Sequence, residues 1–251
     1  MTKLEYKEIY PPNTLSDFVK RFWTIKNTTS ISHNYTVLPD GYFDIVLSLT
    51  ENKIDKVLQT GFYTTEFHAS IPQNTTLFGI SFKPLAADYI LQLSLSNVLN
   101  KHIQIPNSTL ELDKISTISF DGWASSLSNL FLQKLSNQKN IDLRNLKLFS
   151  LLSQYEGSMT IKEIAAHLHC TTRYLNRYFQ SSFGLSLKSY SNILRCKASY
   201  KDIKKGKLYP NGNFADQSHF IKEIKKHTGT TPKNLSQNKN DRFIQFSTRS
   251  G

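Results

Sequence analysis

Arg173, Asn176 and Arg177 fall on one side of a helix predicted over 173–181, whose other side carries Leu175, Tyr178 and Phe179. Arginine pairs with guanine at two points and asparagine with adenine, and the major groove of a duplex is wide enough to take one helix. Such an outward row can therefore read bases. The same spacing also describes an ordinary helical hairpin whose Arg and Asn form a solvated face, so spacing alone leaves both readings open.

The flanking residues position that helix. Thr160-Ile-Lys-Glu163 has the form of a capping box, in which the Thr hydroxyl and the Glu carboxylate satisfy backbone N–H groups at a helix start. Ile161, Ile164, Ala165 and Leu168 then give a short helix one apolar stripe. Thr171 or Thr172 caps the next helix, Gly184 supplies a left-handed stop, and Ser186 opens a third. Sliding the chain by 45 positions places Leu175 on Phe220, Arg177 on Lys222, Phe179 on Ile224, Gly184 on Gly229, Lys188 on Lys233 and Tyr190 on Leu235, without a gap. A second unit from Asp216 thus has a cap, a helix with a basic outer face, a Gly stop, and Thr231-Pro232 at the next helix start.

Over 143–235 these residues resemble the DNA-binding module of the AraC/XylS family of bacterial transcription regulators. The likeness rests on LNRYF at 175–179, Phe183-Gly184, Arg195 and FADQSHFIKEIKKHTGTTP at 214–232. It implies two helix-turn-helix subdomains joined by a long helix, here 187–204, with half-sites separated by about one helical turn, roughly 34 Å. By position in the family motif, base contacts map to Arg173, Asn176 and Arg177 in the first unit and to Gln217, Ser218 and Lys222 in the second. Thr171, Lys188 and Lys233 map near phosphates. The chain departs from the pattern where the family places a scaffold helix before the second reading helix. Gly206-Lys-Leu-Tyr-Pro210-Asn-Gly212-Asn stands there, about five residues shorter than the family's usual length, and Pro and Gly disfavour a regular helix. A loop or one tight turn is expected to brace the second unit.

Charge follows the same division. The net charge is +12, and 19 of the 31 Lys and Arg but 7 of the 19 Asp and Glu lie in residues 141–251, so the whole excess is C-terminal. A basic module beside a neutral one suits a polyanion-binding domain attached to a domain with another task. Cys170 and Cys196 are the two cysteines, with no CxxC and no disulfide framework, which fits a reducing cytoplasm. Both read as small apolar residues, with a thiol switch at Cys170 as the alternative. The N-terminus has no signal pattern, and no apolar run approaches the ~20 residues that span a bilayer. A cytoplasmic protein with no membrane contact is expected.

In the N-terminal half, Leu15, Phe18, Val19, Phe22 and Trp23 keep helical spacing or form an aromatic entry segment, with Trp23 in the core. Runs rich in Val, Ile, Tyr, Phe and Thr, punctuated by Pro39-Asp40-Gly41, Asn52, Gly61 and Pro72-Gln-Asn74, predict strands at 33–37, 42–49, 57–63 and 76–82. Ala86, Ala87, Ile90, Leu91 and Leu93 suggest a helix after Pro84, residues 110–112 a loop or turn, and 121–137 a second helix. LPDGYFDIVL at 38–47, the Gly61 turn and FGISFKPLAA at 78–87 resemble the N-terminal domains found ahead of AraC-type modules, with Leu85 where relatives often have Gly. That resemblance implies a regulatory or dimerising domain. His33, His68 and His102 show no His-x-His pair with a following Glu and read as structural or surface residues. Asp40 sits in a Pro-Asp-Gly turn, where a carboxylate holds backbone, and neither it nor Asp44 is assigned chemistry.

The expected fold is α+β: a mostly-β N-terminal domain with a few helices at 1–137, a linker at 138–141, an all-α double helix-turn-helix domain at 142–240, and a tail at 241–251. The expected function is that of a sequence-specific DNA-binding transcription regulator, an activator in the commoner outcome for the family, with no enzyme activity and no cofactor. Double-stranded DNA is the partner, and RNA polymerase, a small-molecule effector and a second copy of the chain are the further ones the resemblance brings in. Alkyl-transfer repair proteins also carry AraC-like modules, but residues 1–140 contain no cysteine to act as acceptor. The remaining alternative is a general DNA-binding or partner-binding scaffold with a degenerate second helix-turn-helix.

Overall fold

The computed structural model describes residues 4–51, 53–112, 119–138, 140–209 and 214–237. By proximity along the backbone these form two compact units that interleave in sequence. One comprises residues up to His33, Tyr42–Phe62 and Ser70–Leu146; the other comprises Asn34–Gly41, Tyr63–Ala69 and the chain from Lys147.

The first unit is built on a six-stranded antiparallel sheet in the order β1 (Glu5–Ile9), β2 (Val19–Asn27), β7 (Thr75–Phe82), β4 (Phe43–Thr50), β5 (Lys53–Thr60) and β8 (His102–Ile105). Helix α1 (Phe120–Ser136) starts at Ser119, whose hydroxyl accepts from the Gly122 N–H, and buries Phe120, Trp123, Leu127 and Phe131. Trp123 lies edge-on to Phe22 at 5.9 Å, and Phe131 lies 5.6 Å from Phe82, so the helix packs on one aromatic face of the sheet. On the opposite face the Trp23 indole covers Gly79, where an added Cβ would stand 2.0 Å from the ring. Its N–H donates to Asp44 Oδ1 and Ser81 Oγ, both at 3.2 Å. Asp44 therefore holds this polar cluster together.

Several expectations are corrected here. The helical spacing at 15–23 belongs to a short 3₁₀ turn (Asn13–Leu15) followed by strand β2, and Trp23 is half-buried on the face away from the aromatic core. A bulge between Val19 and Arg21 shifts the register, so the apolar residues do not alternate as a plain strand would. The helix expected after Pro84 is one π turn (Ala87–Leu91), closed by Gln92 in the left-handed region. Strands β1, β6 (Phe67–Ile71) and β8 were not expected, and β5 begins and ends earlier than 57–63.

The second unit contains helix α2 (Leu143–Gln154) from Lys147 on, and helices α3 (Ile161–His167), α4 (Thr172–Phe183), α5 (Leu187–Lys204), α6 (Gln217–Thr228) and α7 (Pro232–Gln237). Phe149 gathers Phe179, Phe183 and Tyr190 at 5.8–6.3 Å around the first half of this bundle. A two-stranded ribbon, β3 (His33–Val37) with β6, contributes its segments 34–41 and 63–69 to the same unit.

Candidate nucleic-acid interface

Helix α3 carries both arms of the capping box: Glu163 N–H donates to Thr160 Oγ1 at 3.2 Å, and Thr160 N–H donates to Glu163 Oε2 at 2.8 Å. These bonds hold the Glu163 carboxyl below its ordinary range. Helix α4 begins on Thr171, whose hydroxyl accepts from Tyr174 N–H at 3.1 Å, and ends on Gly184 at φ 76°. Leu175, Phe179 and Phe183 are buried, Arg173 and Arg177 are exposed, and Asn176 is half-buried on the outer side.

The second helix repeats this construction at the same offset of 45. Asp216 accepts from His219 N–H at 2.8 Å, twelve helical residues follow as in α4, and Gly229 closes the helix at φ 67°. Gln217, Ser218 and Lys222 are exposed, while Phe220, Ile224 and His227 are buried. The offset continues past the stop. Ser186 caps α5 by accepting from Ser189 N–H, and Thr231, 45 positions on, accepts from Asn234 N–H. Lys188 and Lys233 occupy equivalent exposed places one residue into α5 and α7. Of the nine residues singled out in sequence, Arg173 with Ser218, Arg177 with Lys222 and Lys188 with Lys233 share this offset, while Thr171, Asn176 and Gln217 stand opposite Asp216, Ile221 and Thr172.

The two sets differ in their support. Where the scaffold helix of the second unit is expected, residues 205–209 form a turn in which Lys207 N–H donates to Asp202 O and the Lys207 ammonium lies 3.5 Å from the Asp202 carboxylate. Residues 210–213 of the expected loop lie outside the described residues. The chain flanking the ribbon strands, at 38–41 and 64, packs against the bundle. Leu38 joins Cys196, Tyr200, Ile203, Phe214, Phe220, Ile224 and Leu235 in one buried cluster. Tyr190 donates to Gly41 O at 3.0 Å and Tyr200 to Pro39 O at 3.1 Å. Thr64 O accepts from the His227 imidazole at 2.5 Å. Glu223, also buried, accepts from Asn192 of α5 at 3.0 Å and lies 3.7 Å from His227. Burial pushes the His227 imidazole below its ordinary range, against the opposing pull of the Thr64 carbonyl and Glu223.

Sequence reasoning missed this brace. The Pro-Asp-Gly motif reads only as a turn, and nothing in the spacing of Leu38 or Thr64 signals a partner more than 150 residues away. Its one sequence trace is negative: the second unit lacks the residues for a scaffold helix. Cys196 is buried in the same cluster, and burial, followed by the Glu223 carboxylate, pushes its thiol up to about 12; Cys170 is partly exposed, and neither cysteine is in a disulfide. His33 and His68 bond to Thr29 and Thr36 hydroxyls, and among the described residues no group of His, Cys, Asp and Glu is arranged to hold a metal ion. Among the described residues no helix is long and apolar enough to cross a membrane.

Residues 164–238 match the family described as a helix-turn-helix domain, and residues 7–104 match a domain of unknown function. The chain is 24% identical over 217 residues to YtdP, an uncharacterized HTH-type transcriptional regulator of Bacillus subtilis (strain 168). That alignment covers 78% of this chain and 27% of the relative. The crystal structure of ToxT from Vibrio cholerae O395 aligns over 90% of this chain and 97% of its own, at 12% identity and TM-score 0.43. Unsaturated fatty acid-bound wild-type ToxT from strain SCE256 aligns over 94% and 97%, at 14% identity and TM-score 0.43. The helix-turn-helix domain is of the AraC type, which supports DNA binding and transcription regulation for this part of the chain.

Proposed function

We propose that α4 and α6 read bases in successive major-groove segments on one side of a duplex, and that the chain acts through them as a sequence-specific activator. The observation that carries this reading is the exact duplication of a capped twelve-residue helix at an offset of 45, each copy with an exposed arc of cationic and amide side chains. Arg173, Arg177 and Asn176 supply the donors that pair with guanine and adenine edges, and Gln217, Ser218 and Lys222 the corresponding set in the second helix. Thr171, Lys188 and Lys233 hold phosphates and fix register. Residues 1–137 regulate or dimerise, residues 142–240 bind promoter DNA, and segments 34–41 and 63–69 brace the second reader. RNA polymerase, a small-molecule effector and a second copy of the chain are the further partners of this reading.

The second reading is a general DNA-binding scaffold, favoured by the turn at 205–209 in place of a scaffold helix. Footprinting of the full-length chain on duplex enriched from random DNA separates the two. Two protected blocks support the regulator, and uniform protection supports the scaffold.

A further inference from the structure

The outer arc of α6 contains one large apolar side chain. Ile221 is 38% exposed, and the exposed residues around it are Gln217, Ser218, Lys222 and Lys225. At about 100° per residue these five positions span an arc of about 140°, on which Ile221 lies between Gln217 and Lys225. An exposed isoleucine alone carries no meaning. This one stands 45 positions after Asn176, which holds the same place within the equivalent arc of α4. The buried cluster below α6 takes Phe220 and Ile224, so Ile221 is not spent on packing that cluster. A β-branched side chain also has no helix-forming advantage on an exposed face.

Among base edges in the major groove, one apolar group is displayed, the C5-methyl of thymine. We propose that Ile221 packs against a thymine methyl in the second half-site, with Gln217 one turn earlier taking an adjacent adenine edge. The second half-site is therefore rich in A·T pairs, whereas the arginines of α4 select guanine in the first. This rests on the reading that α6 enters a major groove.

The test uses the full-length chain and the duplex it enriches from random DNA. Each thymine of the second block is replaced singly by uracil, which pairs identically and lacks the methyl group. One position is expected to weaken binding about four-fold, the fold-change matching the ~0.8 kcal/mol of one buried methyl group. Ile221→Ala should bind thymine and uracil there equally, with first-block affinity unchanged as evidence that the domain is folded. Ile221→Asn, the residue of the first helix, should trade the thymine preference for adenine. Uracil that is neutral throughout the second block, a second block without thymine, or an Ile221→Ala chain that keeps the uracil penalty overturns the proposal. Loss of the second block altogether, with the first retained, instead refutes base reading by α6, and the proposal falls with it.

Discussion

Removing the Leu38 side chain isolates the brace beneath the second helix. Leu38 is 1% exposed and sits in the cluster that includes Phe220 and Ile224 of α6. Leu38→Ala deletes three carbon groups, worth about 2.4 kcal/mol at ~0.8 kcal/mol each. An incompletely collapsed cavity raises the total into the range of about 2–5 kcal/mol. The side chain arrives on a segment held at Pro39 O and Gly41 O by Tyr200 and Tyr190, so the backbone there is poorly placed to collapse inward. Urea denaturation should show the loss in the transition that reports the helical unit. Leu38→Met, which roughly conserves volume, should lose less than about 1.5 kcal/mol. Binding to a two-block duplex should weaken while binding to the first block alone is preserved. A Leu38→Ala chain with stability within 0.5 kcal/mol of wild type (roughly the effect of a neutral surface change) and an intact two-block footprint would refute the bracing role.

Arg173→Ala is expected to relax base preference at its position and cost about 1–3 kcal/mol on the best site, whereas Lys188→Ala should weaken all sequences nearly equally; competition binding against scrambled duplex distinguishes them. Affinity for any duplex should fall steeply with salt as Lys and Arg release counterions, and the slope of log K against log salt should lose about one unit of magnitude per phosphate contact removed, measurable with Lys233→Ala. The folded protein holds His227 below its ordinary range, so the unfolded chain binds this proton first. Stability from this group is complete above the unfolded value near 6.5 and is lost as pH falls from there toward the lower folded value. Melting curves at pH 7.5 and 5.5 should show the drop, and His227→Gln should shrink it.

The first helix pair is legible in sequence because its signals are local. The capping box at Thr160, the cap at Thr171 and the stop at Gly184 each act within a few residues, and the structure places the helix ends within a residue or two of those signals. The second unit is legible by its repeat, since Asp216, Gly229 and Thr231 stand where the offset places them. The brace is not legible, because Leu38, Thr64 and His227 meet only through the tertiary fold. Strand β2 was hidden by its bulge, and β1 and β8, at the two edges of the sheet, are short and lack a clean alternation of buried residues.

Selection from random duplex DNA by the full-length chain at physiological salt, with sequencing of the retained pool, tests the central claim most directly. The account predicts two enriched blocks about one helical turn apart, roughly 34 Å, the first carrying guanine opposite Arg173 and Arg177. A pool indistinguishable from its input would contradict base reading by either helix.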